Sequence, residues 1–392
     1  MRNGSRMRPL GAVACLAMAA GLPTVGHGAT RSLPQSPPNV TIPDKPAGAH
    51  WVWLGDYQWG NYGRSLLYDA DTATLLGMID TGWEGARLLW TDKEIYNAAM
   101  FMSRGFRGQR TDVVTTFDPH TLSPLRELVV PPKTIRGFQD MNHFALTDDN
   151  RFMLLQFASP AASIGVVDIK ANQYVGEIET AGCINAMPAG NRRFFAMCGD
   201  GSLLAITLSD DGKESSRKRY PKFFDPDADP LHESATRSGN VWYFVSHLGK
   251  IHPVDVSGPE FKPLTVWDVS ERDGAMTWIP GQPMQTLAVH HRQQKLYVLM
   301  HASTLQPKLN GSDIHRQPGT EVWVYDLRTQ KRLQRVTLKN LVDAIAVSQD
   351  DAPLLYASSM YHLAFTIQDA RTGKLMHEIA VPSYPNIVQP VD

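Results

Sequence analysis

Cysteine is scarce in this chain: three occur in 392 residues, and Cys15 lies in a short apolar run near the N-terminus. At most one internal pair is therefore left to staple the fold. An excess of charge of one sign is also missing, since 38 basic residues face 39 acidic ones. That balance argues against a nucleic-acid partner, which would favour a basic face. No run of about 18 apolar residues follows the N-terminus, so no transmembrane span is expected. Catalytic signatures are absent as well. There is no Gly-rich phosphate loop, no paired-His zinc helix, no nucleophile elbow and no Cys-x-x-Cys-His haem site.

What is present begins with "MRNGSRMRPLGAVACLAMAAGLPTVGHGAT". Arg2, Arg6 and Arg8 precede a short apolar run and then small residues. This is the order of a secretory signal peptide over residues 1–28, cleaved near Gly28. Its removal leaves a net charge of about −4 and discards Cys15. Residues 29–44, rich in Pro and Ser, read as a flexible arm.

Cys183 and Cys198 remain, and an exported protein with two cysteines is expected to pair them. Their setting, "CINAMPAGNRRFFAMC", reads as strand, turn and strand. A turn between Gly190 and Asn191 places the two directly opposite, within reach of a disulfide.

The dominant signal is repetition. "VWVYDLRTQKRLQRVTL" (322–338) is a strand, a polar turn and a second strand, and six similar segments start near residues 65, 113, 164, 203, 251 and 364. Asp69, Asp118, Asp168, Asp255, Asp326 and Asp369 end the first strand of six copies; the fourth has Leu208-Ser209 there. A second hairpin precedes each copy. Together they make a four-stranded unit of about 40–50 residues, the spacing of a propeller blade. The expected fold is all-β, a seven-bladed propeller over residues 45–392. "HWVWLGD" near the start lacks an inner partner and "PNIVQPVD" at the end has inner-strand character, so both are expected to share one closing blade.

Two local features invite a metal reading. "DPDADPLHE" (225–233) alternates Asp225, Asp227 and Asp229, but Pro230 stands where a calcium loop needs glycine, so a solvated acidic loop is expected. His290 and His291 are adjacent on a strand and point to opposite faces, which is no chelate. The stretch 301–320, with His301 and His315, reads as an insertion on a rigid scaffold, the usual place for binding.

Particular strings go further than composition. "RGQRTDVVTTFDPHTL" (107–122), "FASPAASIGVVDI" (157–169), the Cys183–Cys198 hairpin and "SQDDAPLLYA" (348–357) occur in order along most of residues 50–390. Together they resemble the heavy subunit of tryptophan tryptophylquinone amine dehydrogenases. "PPKTIRG" (131–137) and "ASPAASIG" (158–165) look nearer the aromatic-amine branch than the methylamine branch. The resemblance implies that the cofactor, tryptophan tryptophylquinone, and the catalytic base belong to a separate small, disulfide-rich subunit. No catalytic residue or cofactor is then expected on this chain, and its nine tryptophans should be packing residues.

The resemblance further implies a periplasmic assembly of two heavy and two light chains. It would oxidise a primary amine to aldehyde and ammonia and pass electrons to a copper protein or cytochrome c. Trp83, in "GMIDTGWEGA", matches the place of a phenylalanine that narrows the family's substrate channel. An ordinary core tryptophan is the alternative. Arg107, Gly108, Arg110 and Asp112 match an Arg-Gly-x-Arg-Ser/Thr-Asp string, read as a structural loop with an Arg110–Asp112 ion pair. A stand-alone exported binding propeller and a lactonase-like propeller hydrolase are the competing readings.

Overall fold

A computed structural model describes residues 30–32 (backbone), 41–58, 60–135, 141–281, 284–303 and 317–391. The leader, much of the arm, Arg136, Gly137 and the middle of the 301–320 insertion with His315 lie outside the described residues. Among the described residues every regular element is a strand.

The strands form seven antiparallel sheets, and each sheet is one blade. Blade 3 shows the pattern, running outward as Phe144–Leu146, Phe152–Phe157, Ser163–Asp168 and Gln173–Glu179. Each of the seven repeated segments supplies the third strand of a blade and the chain that runs on into its outer edge.

The repeated aspartate is a turn device. Asp326 Oδ1 accepts the N–H groups of Arg328 and Thr329 at 2.9 and 2.8 Å, and Asp369 Oδ1 accepts those of Arg371 and Thr372. The fourth residue after the aspartate then takes a left-handed conformation in Ala73, Leu122, Asn172, Gln330 and Gly373. A one-residue register slip accompanies it, as between Val324 and Tyr325. A tight turn closed by a left-handed residue and a bulge returns the chain with the twist its strands require. In blade 4 the left-handed residue is Gly212, and the Ser209 hydroxyl donates to Asp211 and to the Lys213 carbonyl.

The middle strands are apolar on both faces because both are covered. Seven hydrophobic clusters fill the seven gaps between neighbouring blades. Between blades 7 and 1, for example, Val52, Leu54, Leu66 and Val388 meet Ala346, Tyr356, Phe365 and Ile367.

Closure joins the two ends of the chain. Tyr384–Val391 is the inner strand of blade 1 and pairs with Trp51–Tyr57, from Trp51 opposite Val391 to Tyr57 opposite Tyr384, with one register slip between Gly55 and Asp56. His50 reinforces the seam: Nδ1 lies 2.7 Å from Asp71 of blade 1, and Nε2 lies 2.8 Å from Asp350 of blade 7.

Several details depart from the sequence reading. The Cys183–Cys198 hairpin slips register between Ile184 and Met187, where buried Asn185 has φ 74°, so its turn centres on Asn191. The long stretch from Asp255 to Asp326, between the fifth and sixth repeats, holds two additions, since the hairpin Glu271–Asp273 and Met276–Pro280 precedes the 301–320 segment and pairs with it at Ala302 and Ser303. Asp229 is buried, not solvated: it accepts from the Ser246 hydroxyl and the Leu248 N–H at 2.8 and 2.9 Å. Thr30–Ser32, within the arm, adds an edge strand beside Pro124–Val130 of blade 2.

Candidate functional site on one face of the ring

Each blade alternates its connections between two faces. The Asp-ended turns lie on one. The loops between second and third strands, and the crossovers to the next blade, lie on the other. Trp83 ends an outer strand, Arg110 begins a third strand, and Cys183 and Cys198 begin a first strand and end a second. All therefore reach this second face, together with the 301–320 segment. Arg107 and Gly108 sit in the loop just before Arg110.

Trp83 is half-buried and held from several directions. Its strand partner is Tyr62, and the pair stands edge to face with ring centres 5.7 Å apart. Phe106 meets Trp83 at 5.4 Å, again edge to face, and Phe101 stacks on Tyr62 at 6.0 Å. The backbone around it is fixed: Asp80 accepts the Gly82 N–H at 2.7 Å, and Glu84 accepts the Gly60 N–H at 2.9 Å. Gly82 has φ 75°, and a Cβ there would lie 2.9 Å from that of Ala99. Only glycine lets the strand end approach blade 2 so closely. Tyr62, Phe101 and Phe106 carry no local signal of this grouping; it arises from register across two blades.

The neighbouring loop is tied down by a buried carboxylate. Asp112 accepts Arg110 Nε and Nη2 at 2.6 and 2.7 Å, the Thr134 N–H at 3.0 Å, and the Thr134 hydroxyl. Arg110 Nη2 also donates to the Thr134 carbonyl at 2.7 Å. Bidentate arginine and two further donors satisfy the carboxylate, as a charge buried to 1% exposure requires. Gly108 has φ 108°, and a Cβ there would come within 2.4 Å of Ser103 Oγ. Cys183 and Cys198 are bonded and buried, and pair directly across their hairpin.

Along the ring axis the inner strands are laced by side-chain amides. Gln285 bridges to the Val388 N–H and carbonyl at 3.1 Å each, and Gln389 to those of Leu88 at 3.0 and 2.8 Å. A cavity of about 240 Å³ adjoins them, lined by Trp90, Leu287, Val289, Ala346 and Arg237. Burial, offset by the Met360 N–H, raises Asp343 to about 6. Burial, with Arg87 nearby, lowers His143 to about 4. Among the described residues no three His, Cys, Asp or Glu side chains converge as a metal site. His290 is fully buried, with Nε2 2.8 Å from the Asp350 carbonyl. Two tryptophans, Trp278 and Trp323, come within 5.4 Å, but Trp323 is fully buried and Arg335 lies over both rings. That is a packing arrangement.

A closed seven-bladed ring with an aromatic, partly open face is a scaffold class shared by many activities, so comparison with known proteins decides between them. Residues 59–391 match the family model described as methylamine dehydrogenase heavy chain. The methylamine dehydrogenase heavy chain of Methylorubrum extorquens is 31% identical over 346 residues, covering 86% of this chain and 81% of that one. The Methylophilus methylotrophus heavy chain is 31% identical over 318 residues, 79% of this chain and 75% of its own. A putative 6-phosphogluconolactonase from Bacteroides fragilis superposes with a TM-score of 0.58 at 12% identity, over 89% of this chain and 100% of that one. At that identity the likeness shows the propeller fold alone. The chain belongs to the methylamine dehydrogenase heavy chain family, and so to the heavy subunits of amine dehydrogenases.

Proposed function

We propose that this chain is the large, cofactor-free subunit of a periplasmic quinoprotein amine dehydrogenase, and that its Trp83 face receives the small subunit. The observation that carries the reading is the family match across nearly the whole ring, joined to an apolar arc on that face. Leu341, Tyr361, Leu363, Tyr384 and Phe106 are 38–62% exposed and follow one another over blades 6, 7, 1 and 2. Exposed apolar residues gathered on one face in this way favour a protein interface there.

Conversion of a primary amine and water to an aldehyde and ammonia releases two electrons and two protons. Tryptophan tryptophylquinone on the small subunit supplies the electrophilic carbon and accepts the electron pair when the assembly is complete. This chain's residues do the surrounding work. Trp83 walls the channel and orients the amine, and Tyr62, Phe101 and Phe106 exclude water beside it. The Arg110–Asp112–Thr134 network holds the wall in place. A copper protein or cytochrome c accepts electrons from an assembly of two heavy and two light chains. The strings at 131–137 and 158–165, with the aromatic rings around Trp83, favour a substrate of the aromatic-amine type.

Charge placed on the arc tests the docking face. Tyr361→Glu with Leu341→Glu should lower retention of the small subunit at least tenfold while leaving the thermal transition of the isolated chain in place. Unchanged retention contradicts the assigned face. N-terminal sequencing of the mature chain, expected to start near Ala29, and cell fractionation test export.

A further inference from the structure

At the ring axis on the Trp83 face, the inner strands gather acids and amides that no cation answers. Glu233 is the third residue of the inner strand of blade 5, Leu231–Ser238, and Asp343 immediately precedes that of blade 7, Ala344–Val347. Asn142 of blade 3 and Asn185 of blade 4 both donate from Nδ2 to the Glu233 carbonyl, at 3.4 Å each. Asn185 and Asn386 of blade 1 are buried, and the Oδ1 atom of each has no donor among the described residues. Arg87 of blade 2 donates to Met141 Sδ at 2.9 Å. Asp343 accepts the Met360 N–H at 2.8 Å, and among the described residues neither Asp343 nor Glu233 forms an ion pair. Burial raises both carboxylates above their ordinary range, although the Glu233 side chain still reaches water. That combination marks a recess. Buried carboxylates are ordinarily paired, so two unpaired ones beside two acceptors without donors leave the recess short of a cation.

We infer that this axial recess receives a cationic side chain, a lysine or an arginine, from the small subunit. This rests on the reading of the Trp83 face as the docking face. The recess is continuous with the apolar arc there. Leu341 lies two residues before Asp343, and burial followed by the Asp343 charge raises the phenol of Tyr361. The chemistry is complementary as well. An ammonium carries three N–H donors and a guanidinium five, and neither accepts, which suits a site made of carboxylates, a carbonyl and unanswered amide oxygens. A long, thin stem also reaches an axial recess that a backbone cannot enter. No three His, Cys, Asp or Glu side chains converge among the described residues, so the site lacks the ligand set of a metal centre. A charge pair taken out of water beside an apolar contact fixes the register of two chains and slows their separation.

The test is the rate at which the small subunit leaves the purified complex at neutral pH and about 0.1 M salt. Glu233→Gln and Asp343→Asn should each speed dissociation by about ten- to hundredfold. Asp343→Asn is the sharper variant, because it should also raise the thermal transition of the isolated chain at pH 7. A residue that only supports the fold would move both readouts in the same sense. Asp210→Asn removes a 94% exposed acid from the opposite face and should alter the rate by less than about twofold. An unchanged rate with either Glu233→Gln or Asp343→Asn overturns the inference. The docking face then stands if Tyr361→Glu with Leu341→Glu still lowers retention, and falls as well if it does not. Calcium added to the isolated chain separates a metal ion from a side chain. No change in the thermal transition supports the inference; a rise that Asp343→Asn abolishes gives the recess to the ion and overturns it.

Discussion

At the scale of single residues, the chain places its charged groups where burial gives them definite consequences. Asp112 binds Arg110 through both carboxylate oxygens, and it also receives both donors of Thr134. Asp112→Ala leaves a half-buried guanidinium and a buried N–H without this partner, and should cost about 3–5 kcal/mol in urea unfolding. Asp343 works in the opposite sense. Burial raises it to about 6 from an ordinary 3.8, so the folded state holds a proton that the unfolded chain releases above about pH 4. Stability is therefore lost as pH rises from about 4 to about 6, and the loss is complete above that. Asp343→Asn removes this dependence. Its melting temperature relative to the parent should be unchanged near pH 4 and higher at pH 7, by an amount worth up to about 2–3 kcal/mol. An equal offset at both pH values would assign the raised value to the wrong group.

Among the elements, the repeated hairpin was readable because its turn chemistry is local. An aspartate caps two N–H groups within three residues, and a left-handed residue follows at a fixed distance. The cysteine pair was readable for the same reason, lying within one hairpin. The partners of Trp83 were not readable. Tyr62, Phe101 and Phe106 reach it through register across two strands and a loop of the next blade, and nothing in their neighbourhoods marks them. Asp229 misled because alternating aspartates beside prolines look like a solvated turn, whereas a serine and an N–H from the next hairpin draw it inward. The disulfide closes a 15-residue separation. Replacing both cysteines with serine should lower stability by about 3 kcal/mol, read as a lower denaturant midpoint. No change on reduction of the parent would mean that the hairpin is held by packing alone.

For the molecule as a whole, stability depends on a closed circle of inter-blade clusters, and the Tyr384–Val391 strand is the piece that closes it. Ending the chain at Ser383 exposes the edge of Trp51–Tyr57 and opens the cluster between blades 7 and 1 where Val388 fills it. The single cooperative transition of the full chain should split or shift down by more than about 10 °C, and aggregation through the bare edge should follow. An unaltered transition would mean that the ring does not depend on its clasp. The central claim lies at this scale too: a ring that walls a channel for chemistry performed on another polypeptide. Its most direct test is mass analysis of everything that stays bound to the chain isolated from its native host. The account predicts a small, coloured partner with two cross-linked tryptophans, and amine oxidation only when both chains are present. A colourless chain that purifies alone, or that oxidises amines by itself, would contradict it.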